Sequence, residues 1–423
     1  MAGNMLDLSA LSSTADATET SAQVSFSNAL SLPFRAVTRA LVSGTSIISA
    51  SGLAQTLFVE IDVGSPPVRL NVQIDTGSST FWIASALCTA GNGCPPSKVT
   101  NSYNPNKSSS LRNSTQINLE RQYGDGTRIR CTVVTDLLVI AGIKIPKQNI
   151  CAATFIEFAN SLGQDGLIGI GPPQQTDPAD VFVMLRTVTT ESKISFYYDQ
   201  SVDTLEETSL VANSGEITFG TPNPARYSGE FTWLPIITTD SRWAVTLDSI
   251  TTSTSTQNIA KGILLDTGTT LIYLDSELFP LVNTAMGGIP KQGGIYELDC
   301  SVVRMLPPIT FVLGGVGASF TLTWDMQFFR LKKTRCISIF TMSPSQSNVF
   351  GVIFLRHFYT SFDSTTGRIG LAQPTGLIKT ERSIMPTITR GISQPTVKSG
   401  SVLMATFHGW CRVCIIALFL IAI

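Results

Sequence analysis

Val72-Gln73-Ile74-Asp75-Thr76-Gly77-Ser78-Ser79-Thr80-Phe81-Trp82-Ile83 is the stretch that decides how this chain is read. A mostly apolar strand runs in, a carboxylate sits at its end, and a small-residue turn carries the chain into a second apolar strand. One such turn is ordinary turn chemistry. Here it is repeated far downstream as Ile263-Leu264-Leu265-Asp266-Thr267-Gly268-Thr269-Thr270-Leu271-Ile272-Tyr273. Two copies with matching flanks predict two lobes, each giving one carboxylate to a shared site.

The chain has 423 residues, enough for two domains with separate cores. It is 43% hydrophobic and only 14% charged, so Ser and Thr fill much of its polar surface. The net charge is -1 and there is no basic stripe, so nucleic acid is not an expected partner. Gly 33 and Pro 21, with abundant Thr, Val and Ile, predict many short strands joined by turns and a mainly β class.

Eight cysteines are present. Cys88 and Cys94 close a short loop, Cys131 and Cys151 fall in the first lobe, and Cys300 and Cys336 in the second. Pairing within lobes predicts disulfides and an oxidising compartment; the alternative is free, buried cysteines in a cytosolic protein. The spacings fit no zinc pattern and only two histidines exist, so no metal site is expected. Cys411-Arg412-Val413-Cys414 lies in an apolar tail without the strand-to-helix setting of a redox motif. Two sequons, at Asn106 and Asn113, share one polar stretch and predict a surface loop open to glycosylation on the secretory route.

The chain divides into five segments. Residues 1–51 are an N-terminal tail, in which Arg35 and Arg39 mark either a prosegment remnant or a disordered stretch. Residues 52–190 and 191–375 are the two lobes. Residues 376–401 are a Ser/Thr/Pro-containing linker, and 402–423 an apolar tail. No basic region followed by an apolar core marks a signal peptide, which conflicts with the cysteines and sequons. The reading adopted is that a first exon lies outside this sequence. The run Val413–Ile423 is too short to span a bilayer alone. Ser399-Gly400-Ser401, a spacer and a terminal apolar run have the layout of a GPI-attachment signal; a tilted membrane anchor from Val402 or a tail without function are the alternatives.

Within the lobes, residues 90–118 read as a long polar loop. Glu120 to Val134 reads as a hairpin around Tyr123-Gly124-Asp125-Gly126-Thr127, and helices are expected near Asp180–Val188 and Glu277–Met286. Leu167-Ile168-Gly169 and Val349-Phe350-Gly351 form a second pair of matching segments.

Together these motifs resemble the pepsin-like aspartic proteases of fungal type, over roughly residues 52 to 375. The resemblance implies a bilobal acid protease fold, two similar β-barrel-like lobes with a substrate cleft between them. It implies a cofactor-free aspartic endopeptidase, a monomer acting on protein or peptide substrates. Such a chain would cut extended peptides between large apolar residues at acidic to mildly acidic pH. Asp75 and Asp266 are the expected catalytic pair. Two carboxylates so close cannot both ionise, so they share one proton, as the resemblance to this family also implies. The charged member takes a proton from a bound water while the neutral one bonds to the scissile carbonyl.

The resemblance also assigns supporting roles. Gly77 and Gly268 let the turns aim backbone N–H groups at the carboxylates, Thr76 and Thr267 bond across to the opposite loop, and Ser78 and Thr269 contact the carboxylates. Tyr123, Gly124 and Asp125 belong to a flap over the substrate, with Tyr123 bonded to the Trp82 indole. Phe158 and Leu167 are candidate apolar pocket residues, and Gln73 sets a polar group near that pocket. Val352 stands where strongly acid-acting relatives often carry an Asp or a hydroxyl. Two other readings stay beside this one: a catalytically silent binding protein on the same fold, and a cell-wall adhesive glycoprotein. The location expected is extracellular or at the cell surface through the secretory pathway, with the vacuole as alternative.

Overall fold

The computed structural model describes residues 30–40, 53–92, 99–158, 164–173, 177–181, 191–199, 210–291, 295–332, 335–375 and 388–389. The strands of the first half are β1 (Leu30–Ala40), β2 (Leu53–Val63), β3 (Val68–Asp75), β4 (Phe81–Ala84), β5 (Asn113–Gln122), β6 (Arg128–Ile140), β7 (Ile143–Glu157) and β8 (Gly166–Gly169). They alternate as half-buried strands must: in β3, Leu70, Val72 and Ile74 are buried while Asn71 and Gln73 are only partly so. β2, β3, β8, β4, β7 and β6 pair in that order, and β2 pairs again with β6, which closes a barrel. Val59, Ile61, Val72, Ile74, Phe81, Ile83 and Ile168 fill it.

This barrel is part of a 13-stranded sheet. On the far side of β1 the sheet continues through Leu210–Phe219, Lys193–Tyr198, Tyr359–Asp363, Arg368–Pro374 and Tyr227–Pro235. β1 is the link, antiparallel to β2 on one edge and to Leu210–Phe219 on the other. Residues 30–40, left by the sequence as a tail or a prosegment remnant, are therefore strand. Nothing local marks them, because their pairing partners lie elsewhere in the chain.

The second half forms an 8-stranded sheet that repeats the heart of the first. In the barrel, β3 runs parallel to β8, with Asp75 opposite Gly169, and β4 packs antiparallel on β8. In the second sheet Thr256–Leu265 runs parallel to Asn348–Phe350, with Leu265 opposite Phe350, and Ile272–Leu274 packs antiparallel on that same strand. A 4-stranded sheet completes this half. The expected helix after Asp266 is α1 (Leu278–Ala285). The Asp275 carboxylate accepts the backbone N–H groups of Glu277 and Leu278 at its start. Most of the helix expected near Asp180–Val188 lies outside the described residues.

The polar segment 90–118 differs from its reading as loop, since β5 begins at Asn113. β5 is the last strand of its sheet, where backbone pairing on one side suffices and polar side chains are tolerated on the other. Two disulfides staple the two halves internally, Cys131–Cys151 within the β6–β7 hairpin and Cys300–Cys336 in the second. Cys94 lies outside the described residues. Asn106 is exposed in a short turn of helix at Pro105–Lys107; Asn113 opens β5, and its side chain is not described. Of the linker, Ile388–Thr389 pairs with Ala318–Leu322; the apolar tail lies outside the described residues. Among the described residues no helix is long and apolar enough to cross a membrane, and no cluster of metal-ligating side chains occurs.

Candidate active site

The two Asp-Thr-Gly turns meet face to face. Thr76 and Thr267, both fully buried, interlock them. The Thr76 N–H donates to Thr267 Oγ1 at 3.1 Å, and the Thr267 N–H to Thr76 Oγ1 at 2.9 Å. Each hydroxyl then donates past the opposite turn, Thr76 to the Leu265 carbonyl at 2.9 Å and Thr267 to the Ile74 carbonyl at 3.1 Å. Four hydrogen bonds in a closed, dry ring leave the turns little freedom, because breaking any one strands a buried polar group.

That ring brings the carboxylates together. A Cβ on Gly77 would lie 2.7 Å from the Asp266 carboxyl carbon, and one on Gly268 would lie 2.3 Å from Asp75 Oδ1. Each glycine is thus the surface on which the opposite carboxylate rests, and no side chain fits there. Each carboxylate also takes the same two donors from its own turn. Asp75 accepts the Gly77 N–H at 2.8 Å and the Ser78 hydroxyl. Asp266 accepts the Gly268 N–H at 2.7 Å and the Thr269 hydroxyl at 2.6 Å.

Asp75 and Asp266 are only 6% and 8% exposed. Burial, and then the charge of Asp266, holds the Asp75 carboxyl well above the usual carboxylate range. The Ser78 and Gly77 donors oppose that rise without cancelling it. The pair therefore keeps a proton at pH values where isolated carboxylates have lost theirs, and it titrates as a unit.

The loop over Asp75 is the tip of the β5–β6 hairpin. Its turn is closed by the Tyr123 N–H to the Thr127 carbonyl at 2.8 Å, and the Asp125 carboxylate holds the Thr127 N–H at 2.8 Å and hydroxyl at 2.9 Å. Gly124 and Asp125 are exposed at the tip. Tyr123 and Phe158 pack against the cluster that contains Trp82 and Leu167, so the hairpin and the expected pocket residues share one apolar cluster. Burial pushes the Tyr123 phenol well up, and the charge of Asp75 adds to this. The Tyr123 phenol and the Trp82 indole, expected to bond, lie within side-chain reach of each other. The indole lies close enough to oppose the rise, yet neither it nor the phenol makes a hydrogen bond of normal geometry among the described residues.

Two features escaped the sequence reading. Trp243 is fully buried, and its indole donates to the Ile170 carbonyl at 2.8 Å while its own carbonyl accepts the Leu265 N–H. The Ile170 N–H in turn donates to the Asp75 carbonyl at 2.7 Å, so one residue, through its indole on one side and its backbone carbonyl on the other, links the segments that hold both turns. Second, Thr80 bonds to the Asp177 carboxylate, and Arg121 from β5 reaches both Thr80 Oγ1 at 2.9 Å and Asp177 Oδ2 at 3.3 Å. Nothing in the sequence signals either, since the partners are far apart along the chain.

Similarity to known proteins decides the family. The family model for eukaryotic aspartyl protease matches residues 56–374. The chain belongs to that family. It is 27% identical over 336 residues to rhizopuspepsin-4 of Rhizopus niveus, covering 78% of this chain and 80% of that one. It is 28% identical over 343 residues to renin-2 of Mus musculus, covering 77% and 81%. It is 29% identical over 344 residues to a probable vacuolar protease A of Arthroderma benhamiae, covering 78% and 82%. This aspartyl protease has the bilobal pepsin-like fold, and its activity is that of an aspartic endopeptidase acting on protein or peptide substrates.

Proposed function

We propose that Asp75 and Asp266 are the pair between which the attacking water is activated. The observation that carries this is the reciprocal seat of each carboxylate on the opposite glycine, inside a ring of hydrogen bonds that crosses between the turns. A pair held this way shares one proton. Its charged member draws a proton from water as the oxygen attacks the peptide carbonyl, and its neutral member bonds to that carbonyl and then helps protonate the leaving amine. Burial strengthens both interactions, because water no longer screens them.

Tyr123, Gly124 and Asp125 form the flap in this reading, and Trp82, Phe158 and Leu167 support the pocket beneath it. The raised Asp75 carboxyl supports activity reaching from acidic toward mildly acidic pH. The test is cleavage of a denatured protein across a pH series, with and without a transition-state peptide inhibitor. Inhibitable cleavage with an alkaline limb above the ordinary carboxylate range supports the reading. Cleavage that the inhibitor leaves untouched overturns it.

The two disulfides and the relationship to a probable vacuolar protease support passage through the secretory pathway. Asn106 and Asn113 are then glycan acceptors, and the protease works as a monomer outside the cell or at its surface. The apolar tail from Val402 onward serves for membrane attachment. Truncation before Val402 should release active enzyme into the medium; equal partitioning of the full and shortened chains removes that role.

A further inference from the structure

The face of the barrel that carries Asp75 bears a row of side chains set by strand register. Gln73 on β3 lies opposite Leu167 on β8, and Leu167 lies opposite Trp82 on β4. On the other edge of β3, Gln73 faces Phe58 of β2. Partners in register point to the same side, and residues two apart on a strand do as well, so this row and Asp75 share a face. The alternate residues Val72, Ile74, Ile168, Phe81 and Ile83 point into the barrel core.

Within the row, Phe58 is 7% exposed, Leu167 4% and Trp82 0%. Gln73 alone among them is only partly buried, so solvent reaches this apolar row at Gln73. Tyr123 and Phe158 pack on the cluster that holds Trp82 and Leu167, and Leu167 is the neighbour of Gln73 in register. The Gln73 carboxamide carries donors and an acceptor, and it makes no hydrogen bond among the described residues.

From this arrangement we infer that Gln73 is a specificity-determining residue, selecting a substrate side chain whose tip carries a hydroxyl or carboxamide in the pocket beside the scissile bond. The inference rests on the proposed roles of Asp75 and Asp266 and goes further, by naming the side chain that the neighbouring pocket prefers. A purely apolar side chain seated there strips water from the amide and returns nothing. A tyrosine or glutamine covers the same apolar walls and completes the hydrogen bond. The family preference for large apolar residues thereby becomes, in this chain, a preference for large residues with a polar end.

The test uses peptide pairs identical except for Tyr against Phe, placed in turn at each position flanking the scissile bond. The ratio of kcat/KM within each pair is read, so overall losses of activity cancel. At one position the wild-type enzyme should favour Tyr by about threefold to tenfold, the worth of one neutral hydrogen bond in a partly wet pocket. Gln73→Met keeps the length and apolar volume but no amide, and should bring that ratio to unity or below; Gln73→Leu serves if the Met variant does not fold. A wild-type ratio at or below unity at every position, or a preference that survives in the variant, overturns the inference. Asp75→Asn separates the two ideas. If it abolishes cleavage of both peptides while the Tyr/Phe ratio ignores Gln73, only the role of Gln73 fails; if it leaves cleavage intact, the assignment of the pair itself fails.

Discussion

The two Asp-Thr-Gly turns are nearly superimposable in their hydrogen bonding and quite different in what surrounds them. In the first, the Gly169 N–H donates to the Thr80 carbonyl at 3.1 Å; in the second, the Gly351 N–H donates to the Leu271 carbonyl, also at 3.1 Å. Thr80 and Leu271 occupy the same place after their aspartates. Yet the Thr80 hydroxyl is tied to Asp177 and Arg121, whereas Leu271 is a 1% exposed core residue. The first turn is coupled to a hairpin that reaches over the site, and the second is anchored in its own core. In the proposed mechanism, symmetry is kept where the chemistry needs two equivalent carboxylates, and lost where the hairpin would cover substrate from one side.

The largest effect should come from the symmetric part. Asp75→Asn and Asp266→Asn should each reduce turnover by about ten-thousandfold or more while leaving the fold intact, because half of a proton-sharing pair does not work alone. Asp75→Asn should also change stability in a pH-dependent way. A carboxyl whose folded pKa is raised favours the folded state below its unfolded pKa, near 3.9, and loses that contribution as pH rises through the folded value. The variant should therefore melt higher than wild type at neutral pH, with the difference shrinking in strong acid. A melting difference that is the same at all pH values would argue against a raised Asp75.

Next come the glycines. Gly77→Ala and Gly268→Ala each push a methyl into the opposite carboxylate, and both should lose at least about a hundredfold in kcat/KM by displacing the pair. If one is tolerated, the two turns are less alike than their hydrogen bonds indicate. A smaller loss, about tenfold in kcat/KM, should accompany Arg121→Met. It cuts the tie between β5 and the first turn, which has no counterpart on the second among the described residues. An unchanged enzyme would mean that the flap is positioned by its apolar cluster alone.

The smallest effect concerns the residues next to two further glycines. Ile170 and Val352 stand directly after Gly169 and Gly351, both apolar and both buried. A hydroxyl near Asp266 at the second position would favour the ionised form of the pair and lower its upper pKa. Since activity needs one proton on the pair, Val352→Thr should move the alkaline limb of the activity profile down, by no more than about one to two pH units. A limb that stays in place removes Val352 from the account of pH dependence.

Much of this protein was written locally. The two Asp-Thr-Gly turns, the Tyr123–Thr127 hairpin tip, the start of α1 and the pairing of Cys131 with Cys151 and Cys300 with Cys336 all depend on residues near one another along the chain, or on one pattern repeated. Turn chemistry, strand alternation and short loop closure act over such distances, so a sequence displays them. The tertiary structure decided the contacts between residues that the chain holds far apart. The Trp243 indole on the Ile170 carbonyl spans 73 positions, the Thr80–Asp177 contact spans 97, and the crossed threonines span 191. β1 is strand only because β2 and Leu210–Phe219 offer it two open edges. The family resemblance set Gln73 near a pocket, but only strand register seats it between Phe58 and Leu167 on the face of Asp75. Hydrogen bonding and burial are decided by which surfaces meet, and in this chain that depends on strand register and on the meeting of the two Asp-Thr-Gly turns.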